Sequence, residues 1–257
     1  MRCECVKWMD FKSRMGLRGA SKTEKFLLES TPKYHFDSVK IDLAIDYQPR
    51  VVCKEGSVEI VMIKGGVGKM SRESNEKTCY LITQLLKFAV IDHLELRENF
   101  ADCSILFKTV INSPFRFRKL SLKCQNTPLV GFLLKNCVGV EKIELECWDE
   151  LDLACYPSVI AARKIKMPIL TRSPFPSQMM QKWIEKDVEI GTKMKLRTVD
   201  PNCLGLLFSQ FETRAIYSSD TELRLRMDNN SKCIQIKKPR EHWRPDEITY
   251  TFIVKQV

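Results

Sequence analysis

Four times in succession the chain returns to a short stretch of alternating character. Apolar residues stand at Leu94/Leu96, Leu120/Leu122, Ile143/Leu145 and Ile165/Met167, each pair interleaved with polar or charged neighbours. From Leu94 to Leu120, Ile143 and Ile165 the steps are 26, 23 and 22 residues. Intervals of that size hold one strand and one helix, the period of leucine-rich-like repeats. Successive strand residues point to opposite faces, so each apolar pair is expected to enter a core while its neighbours face out. The expected fold class is α/β, with degenerate leucine-rich-repeat-like strand–helix repeats flanked by small antiparallel sheets.

The outward positions of those strands are the candidate partner-binding residues. They are His93, Glu95, Arg97, Lys119, Ser121, Lys123, Lys142, Glu144, Glu146, Lys164 and Lys166. A stack of repeats leaves a broad sheet surface uncovered, and such surfaces recognise other molecules. The periodicity is degenerate: Asn99 falls where a leucine-rich repeat places its ladder asparagine, but Gln125 and Trp148 take the equivalent places in the next two.

Around the repeats the pattern changes. Residues 1–34 read as a loose basic N-terminal arm or marginal helix, and residues 35–257 as one continuous domain without a Gly-, Pro- or Ser-rich linker. Strict alternation from His35 to Leu43 predicts a half-buried strand. Arg50–Cys53 and Val58–Ile63 predict two more, joined by a turn at Glu55-Gly56. Glu73–Val90 and Ser104–Ile111 have helical spacing. Thr127-Pro128 opens another helix, with Leu129, Phe132 and Leu133 as its apolar face. Cys155–Ala162 suggests a short helix, and Pro176–Asp187 a longer one that buries Met179, Met180, Trp183 and Ile184. Strands are expected at Lys193–Val199, at Glu222–Met227 and Lys232–Lys237 around a turn at Asp228–Ser231, and at Thr249–Val254. Cys203–Phe211 is read as helix or irregular.

Composition narrows the function classes. No apolar run reaches the roughly 20 residues of a membrane helix, and Met1–Met15 has no signal-peptide core. The eleven cysteines form no CxxC pair and are expected to be buried, reduced thiols of a cytoplasmic or nuclear protein. Neither Cys3-x-Cys5 nor the three histidines, His35, His93 and His242, has metal-site spacing. The net charge of +10 arises from 42 basic residues interleaved with 32 acids, which is the pattern of a solvated surface.

Catalytic signals are weak. Lys64-Gly65-Gly66-Val67-Gly68-Lys69-Met70 resembles a phosphate-binding loop. However, Ile63 replaces its first glycine, and Met70 stands where Ser or Thr would hold Mg²⁺. A glycine-rich strand-to-helix connection accounts for the same residues, leaving a divergent nucleotide-binding protein as the remotest alternative. The acids from Glu144 to Glu150 read as surface, and Trp183 as core. No catalytic, cofactor or metal residue is assigned. The main alternative is a basic RNA-binding protein, but the outward strand positions contain no aromatic residue for base stacking.

The strand from His35 to Ile45, the apolar-x-apolar repeats, Gln181-Lys182-Trp183-Ile184 and the closing Lys232–Ile236 and Tyr250–Val254 together resemble the F-box-associated region of the large nematode F-box families, the type-2 associated domain and its relatives. The resemblance spans most of residues 35–254. It implies a non-enzymatic substrate-recognition module of a cullin-RING ubiquitin ligase, with a Skp-type adaptor and a cullin as further partners. Residues 1–30 lack the F-box helical triplet. The resemblance therefore implies either that an F-box lies outside this chain or that ligase docking has been lost.

Overall fold

A computed structural model describes residues 11–18, 21–22, 33–43, 50–63, 82, 85–86, 89–98, 114–124, 127–146, 153–168, 175–198, 202–238 and 248–257. The chain is mixed α/β, with parallel and antiparallel strands and few helices. It divides into two compact units, Met1–Phe117 and Arg118–Val257. No linker marks the division because it falls inside a strand.

In the first unit, α1 (Phe11–Arg18) precedes β1 (Tyr34–Leu43), β2 (Arg50–Glu55), β3 (Val58–Ile63) and β4 (Ala89–Glu98). β1–β2–β3 are antiparallel neighbours, as the sequence suggests, and the turn between β2 and β3 carries Gly56 at φ 56°. A residue with a Cβ is disfavoured there. The amide of Gly56 donates to Asp37 Oδ2 at 2.5 Å, which ties the turn to β1. β4 lies parallel to β1, with Val39 opposite Leu94 and Ile41 opposite Leu96. These four side chains, together with Val51 and Cys53, are buried on one face. Part of the expected loose arm is docked. Phe11 is buried and meets Tyr34 and Phe36 edge-on at 5.8 and 5.3 Å, while the Arg14 guanidinium lies 5.3 Å from the Tyr34 ring centre.

The second unit is entered through β5 (Phe115–Cys124). It continues through α2 (Thr127–Asn136), β6 (Cys137–Val138), β7 (Lys142–Leu145), α3 (Pro157–Ala161), β8 (Lys164–Pro168), α4 (Phe175–Glu185) and β9 (Lys193–Thr198). Then come α5 (Cys203–Gln210), β10 (Ala215–Ser218), β11 (Glu222–Arg226), β12 (Lys232–Lys237) and β13 (Ile248–Gln256). The strand order is β5-β7-β8-β9-β13-β12-β11-β10, with β6 paired to β5. β5, β7, β8 and β9 are parallel, and one of α2, α3 and α4 connects each consecutive pair. Parallel neighbours require such crossovers. β13, last in sequence, inserts antiparallel between β9 and β12.

The parallel strands share one register: Leu120, Ile143, Ile165 and Met194 are aligned, and Met167 is opposite Leu196. All are buried, as are Met179, Met180, Trp183 and Ile184 of α4. In the turn that follows α4, Asp187 has a left-handed φ of 46°. The Lys232 ammonium donates there to the carbonyls of Asp187 and Val188 at 3.2 and 3.3 Å, a cation at a helix C-terminus. Phe132 of α2 is only half-buried, because the buried face of that helix runs through Leu129, Val130, Leu133 and Leu134. Cys155, expected to be buried, is exposed in a 3₁₀ turn (Leu153–Cys155), whereas Cys53, Cys124, Cys137 and Cys233 are buried. Burial pushes the Cys53 thiol up to about 12. Of the helices expected at Glu73–Val90 and Ser104–Ile111, the described residues are Ile82, Leu85 and Leu86, which are helical and buried, and Ala89 and Val90, which instead begin β4; the rest lie outside the described residues.

Candidate partner-binding faces

Three of the candidate residues, His93, Glu95 and Arg97, lie on β4 of the first unit. They stand opposite Ser38, Lys40 and Asp42 of β1. His93 and Glu95 help line an open cavity of about 420 Å³ with residues of β1, β2 and β3. Its charges are mixed: Lys40, Arg50 and Lys54 face Asp42, Glu59 and Glu95. Glu95 lies 3.6 Å from Lys40 and 2.9 Å from Arg97; Glu59 is 3.7 Å from Arg50 and 3.6 Å from Lys54. Partial burial opposes ionisation of Glu95. The charges of Lys40 and Arg97, with the Arg97 hydrogen bond and His93, outweigh it and hold the carboxyl below its usual range. The cavity is polar and internally neutralised.

The remaining eight candidates lie in the second unit, on the face opposite the apolar core positions. Lys119, Lys142 and Lys164 form one row across β5, β7 and β8; Ser121, Glu144 and Lys166 form the next. Glu144 is the hub of the β5–β7 portion. Its carboxylate lies 3.5 Å from Lys119 Nζ and 3.0 Å from Lys142 Nζ, and Ser121 Oγ donates to it at 3.3 Å. Burial works against the charge, but these cations and hydrogen bonds prevail and lower its pKa to about 2. Lys123 and Glu146 pair at 3.0 Å. Ser121 belongs to this face but is buried, so it supports Glu144 and is not displayed to a partner.

Lys164 and Lys166 are exposed, and among the described residues no carboxylate pairs with either. The row continues where sequence reasoning stopped. β9 places Lys193 opposite Lys164 and Lys195 opposite Lys166, with Arg197 following on the same face. These basic residues were missing from the candidate set because β9 lies after the last of the four evenly spaced pairs. The signal was present: Lys193-Met194-Lys195-Leu196 repeats the alternation of Lys164-Ile165-Lys166-Met167.

Further along the same sheet, Glu222 accepts a 2.6 Å hydrogen bond from Gln235 Nε2 and pairs with Arg224 and Lys237 at 2.5 and 3.4 Å. The hydrogen bond from Gln235 is the largest influence that lowers the Glu222 carboxyl to about 2. Tyr217 is exposed, with the Arg224 guanidinium 5.1 Å from its ring centre. The glycine-rich loop of residues 64–70, Cys3, Cys5, His242, Asn99, Gln125 and Trp148 lie outside the described residues. Among the described residues no helix is long and apolar enough to cross a membrane.

No protein-family model matches the chain, and neither a curated protein nor a solved structure matches it.

Proposed function

We propose that this chain is a non-enzymatic protein-interaction module, similar to the substrate-recognition region of a cullin-RING ubiquitin ligase adaptor, and that its β5–β9 segment consists of degenerate leucine-rich-repeat-like strand–helix units. The observation that carries this reading is the shared register of β5, β7, β8 and β9. One face holds aligned apolar residues and the helical crossovers. The other presents a row of side chains exposed at Lys164, Lys166 and Lys195, the geometry with which repeat arrays hold partners. On this reading the sheet recognises a protein, and any ligase contact through a Skp-type adaptor and cullin comes from another segment or chain. The functional setting is cytoplasmic or nuclear.

RNA binding is the second reading, and Tyr217 with Arg224 is the observation that favours it. That pair lies on β10 and β11, with β12 and β13 between it and β9. A single aromatic makes a poor stacking platform for successive bases.

Affinity purification of the tagged chain from its native cells, followed by mass spectrometry, tests the choice. Specific protein partners together with a Skp-type adaptor and a cullin are expected. Recovery of nucleic acid alone, released by moderate salt as a phosphate-dominated contact would be, overturns the protein-interaction reading.

A further inference from the structure

Lys164, Lys166, Lys193 and Lys195 form a square on the outward face of two adjacent strands; Lys193 is half-buried and the other three are exposed. Paired residues of neighbouring strands lie about 4.8 Å apart and alternate residues of one strand about 6.6 Å apart, so four ammonium groups share a small area. Among the described residues none of the four has a carboxylate partner, whereas Lys119, Lys142 and Lys123 on the neighbouring strands do. Like charges directly opposite one another destabilise a sheet. Exposed lysines often protect sheet edges from pairing with other chains, but β8 and β9 are interior strands, flanked by β7 and β13. Edge protection therefore does not explain the square.

We propose that this lysine square docks an acidic segment of a partner protein, held in extended conformation with carboxylates at alternate residues. The proposal rests on the protein-interaction reading above and names the chemistry of the partner. An extended chain repeats its side chains on one face every second residue, about 6.6 Å, the spacing of Lys164 to Lys166 and of Lys193 to Lys195. The square is bounded on one side by Lys142 and Glu144 of β7, which neutralise each other in an ion pair of 3.0 Å, and on the other by the uncharged Thr251 and Ile253 of β13. A strip two strands wide fits one extended chain. Lysine supplies point charges and no planar fork, and no outward position of β7, β8 or β9 is aromatic. Both features favour carboxylates over stacked bases.

The test uses the purified full chain and a fluorescent peptide alternating Glu and Thr. A peptide of identical composition with the glutamates in one block and an oligonucleotide of equal charge serve as competitors. The alternating peptide should bind more tightly than either, and its affinity should fall as salt screens the contact. The double variant Lys166→Glu, Lys195→Glu should weaken it about tenfold or more, since each change removes an attraction and adds a repulsion. The neutral pair Lys166→Gln, Lys195→Gln should also lose binding while Tm holds or rises, because repulsion within the square is relieved. Unchanged peptide affinity in these variants overturns the proposal, as does equal binding of the blocked peptide or tighter, square-dependent binding of the oligonucleotide. If cellular protein partners are retained by the neutral variant, the square is not their site and the interaction reading stands alone. If no protein partner is recovered with either form, that reading falls as well.

Discussion

The cavity on β1–β4 and the lysine square on β8–β9 are built from the same local pattern and end in opposite electrostatic states. Both are outward faces of strands whose inward residues are buried. In the cavity the register brings Lys40 opposite Glu95 and Lys54 opposite Glu59, so cations and carboxylates neutralise one another. On β8–β9 it brings lysine opposite lysine twice. Alternation decides only that a residue faces out; the neighbour it meets decides whether that face is satisfied or open to a charged partner.

Three measurements break or sharpen this contrast. The largest effect is expected beneath the lysine face. Trp183 is fully buried, and Trp183→Ala should lower unfolding free energy by about 3–5 kcal/mol in chemical denaturation. Its Nε1 has no hydrogen-bond partner among the described residues, so Trp183→Phe should cost distinctly less than the alanine change. An equal loss in both would show that shape alone dominates at this site.

Next comes the direct contrast of the two faces. Lys166→Glu should weaken binding of the alternating acidic peptide about tenfold, whereas Lys40→Glu, in the neutralised cavity, should change it less than about twofold. Titration of the labelled peptide against both variants reads the difference. Equal losses would make net charge, and not the square, responsible.

The smallest effect concerns Glu144. Its carboxyl is lowered to about 2 in the folded chain, below the roughly 4.3 of an unfolded glutamate. A depressed folded pKa means that the unfolded chain binds the proton more readily. The resulting stabilisation is therefore present above about pH 4.3 and disappears as pH falls toward 2. The stability gap between the natural chain and Glu144→Gln should narrow across that window in pH-resolved denaturation. A gap independent of pH would mean that the ion pairs with Lys119 and Lys142 contribute nothing.

Much of the fold is legible in the sequence. The helix around Trp183, the turn at Gly56 and the inward Leu120, Ile143, Ile165 and Met194 follow from local periodicity, because a chain in water buries its apolar stripe whichever neighbours it has. The parallel placement of β4 beside β1, the unforeseen strand β10 and the insertion of β13 between β9 and β12 were not legible. Each pairs residues far apart in sequence, and no local preference encodes which strand becomes a neighbour. The burial of Ser121 depends likewise on the carboxylate that β7 brings over it.

The candidate site divides along the same line. That Lys164, Lys166, Lys193 and Lys195 face away from the core is a property of two short alternating segments. Their assembly into a single unneutralised square is not. It requires α4 to return the chain so that β9 lies beside β8 with no shift in register, whereas a slip of one residue would set lysine against buried methionine. The sequence contained the four charges, and hydrogen bonding between two strands about thirty residues apart turned them into one surface.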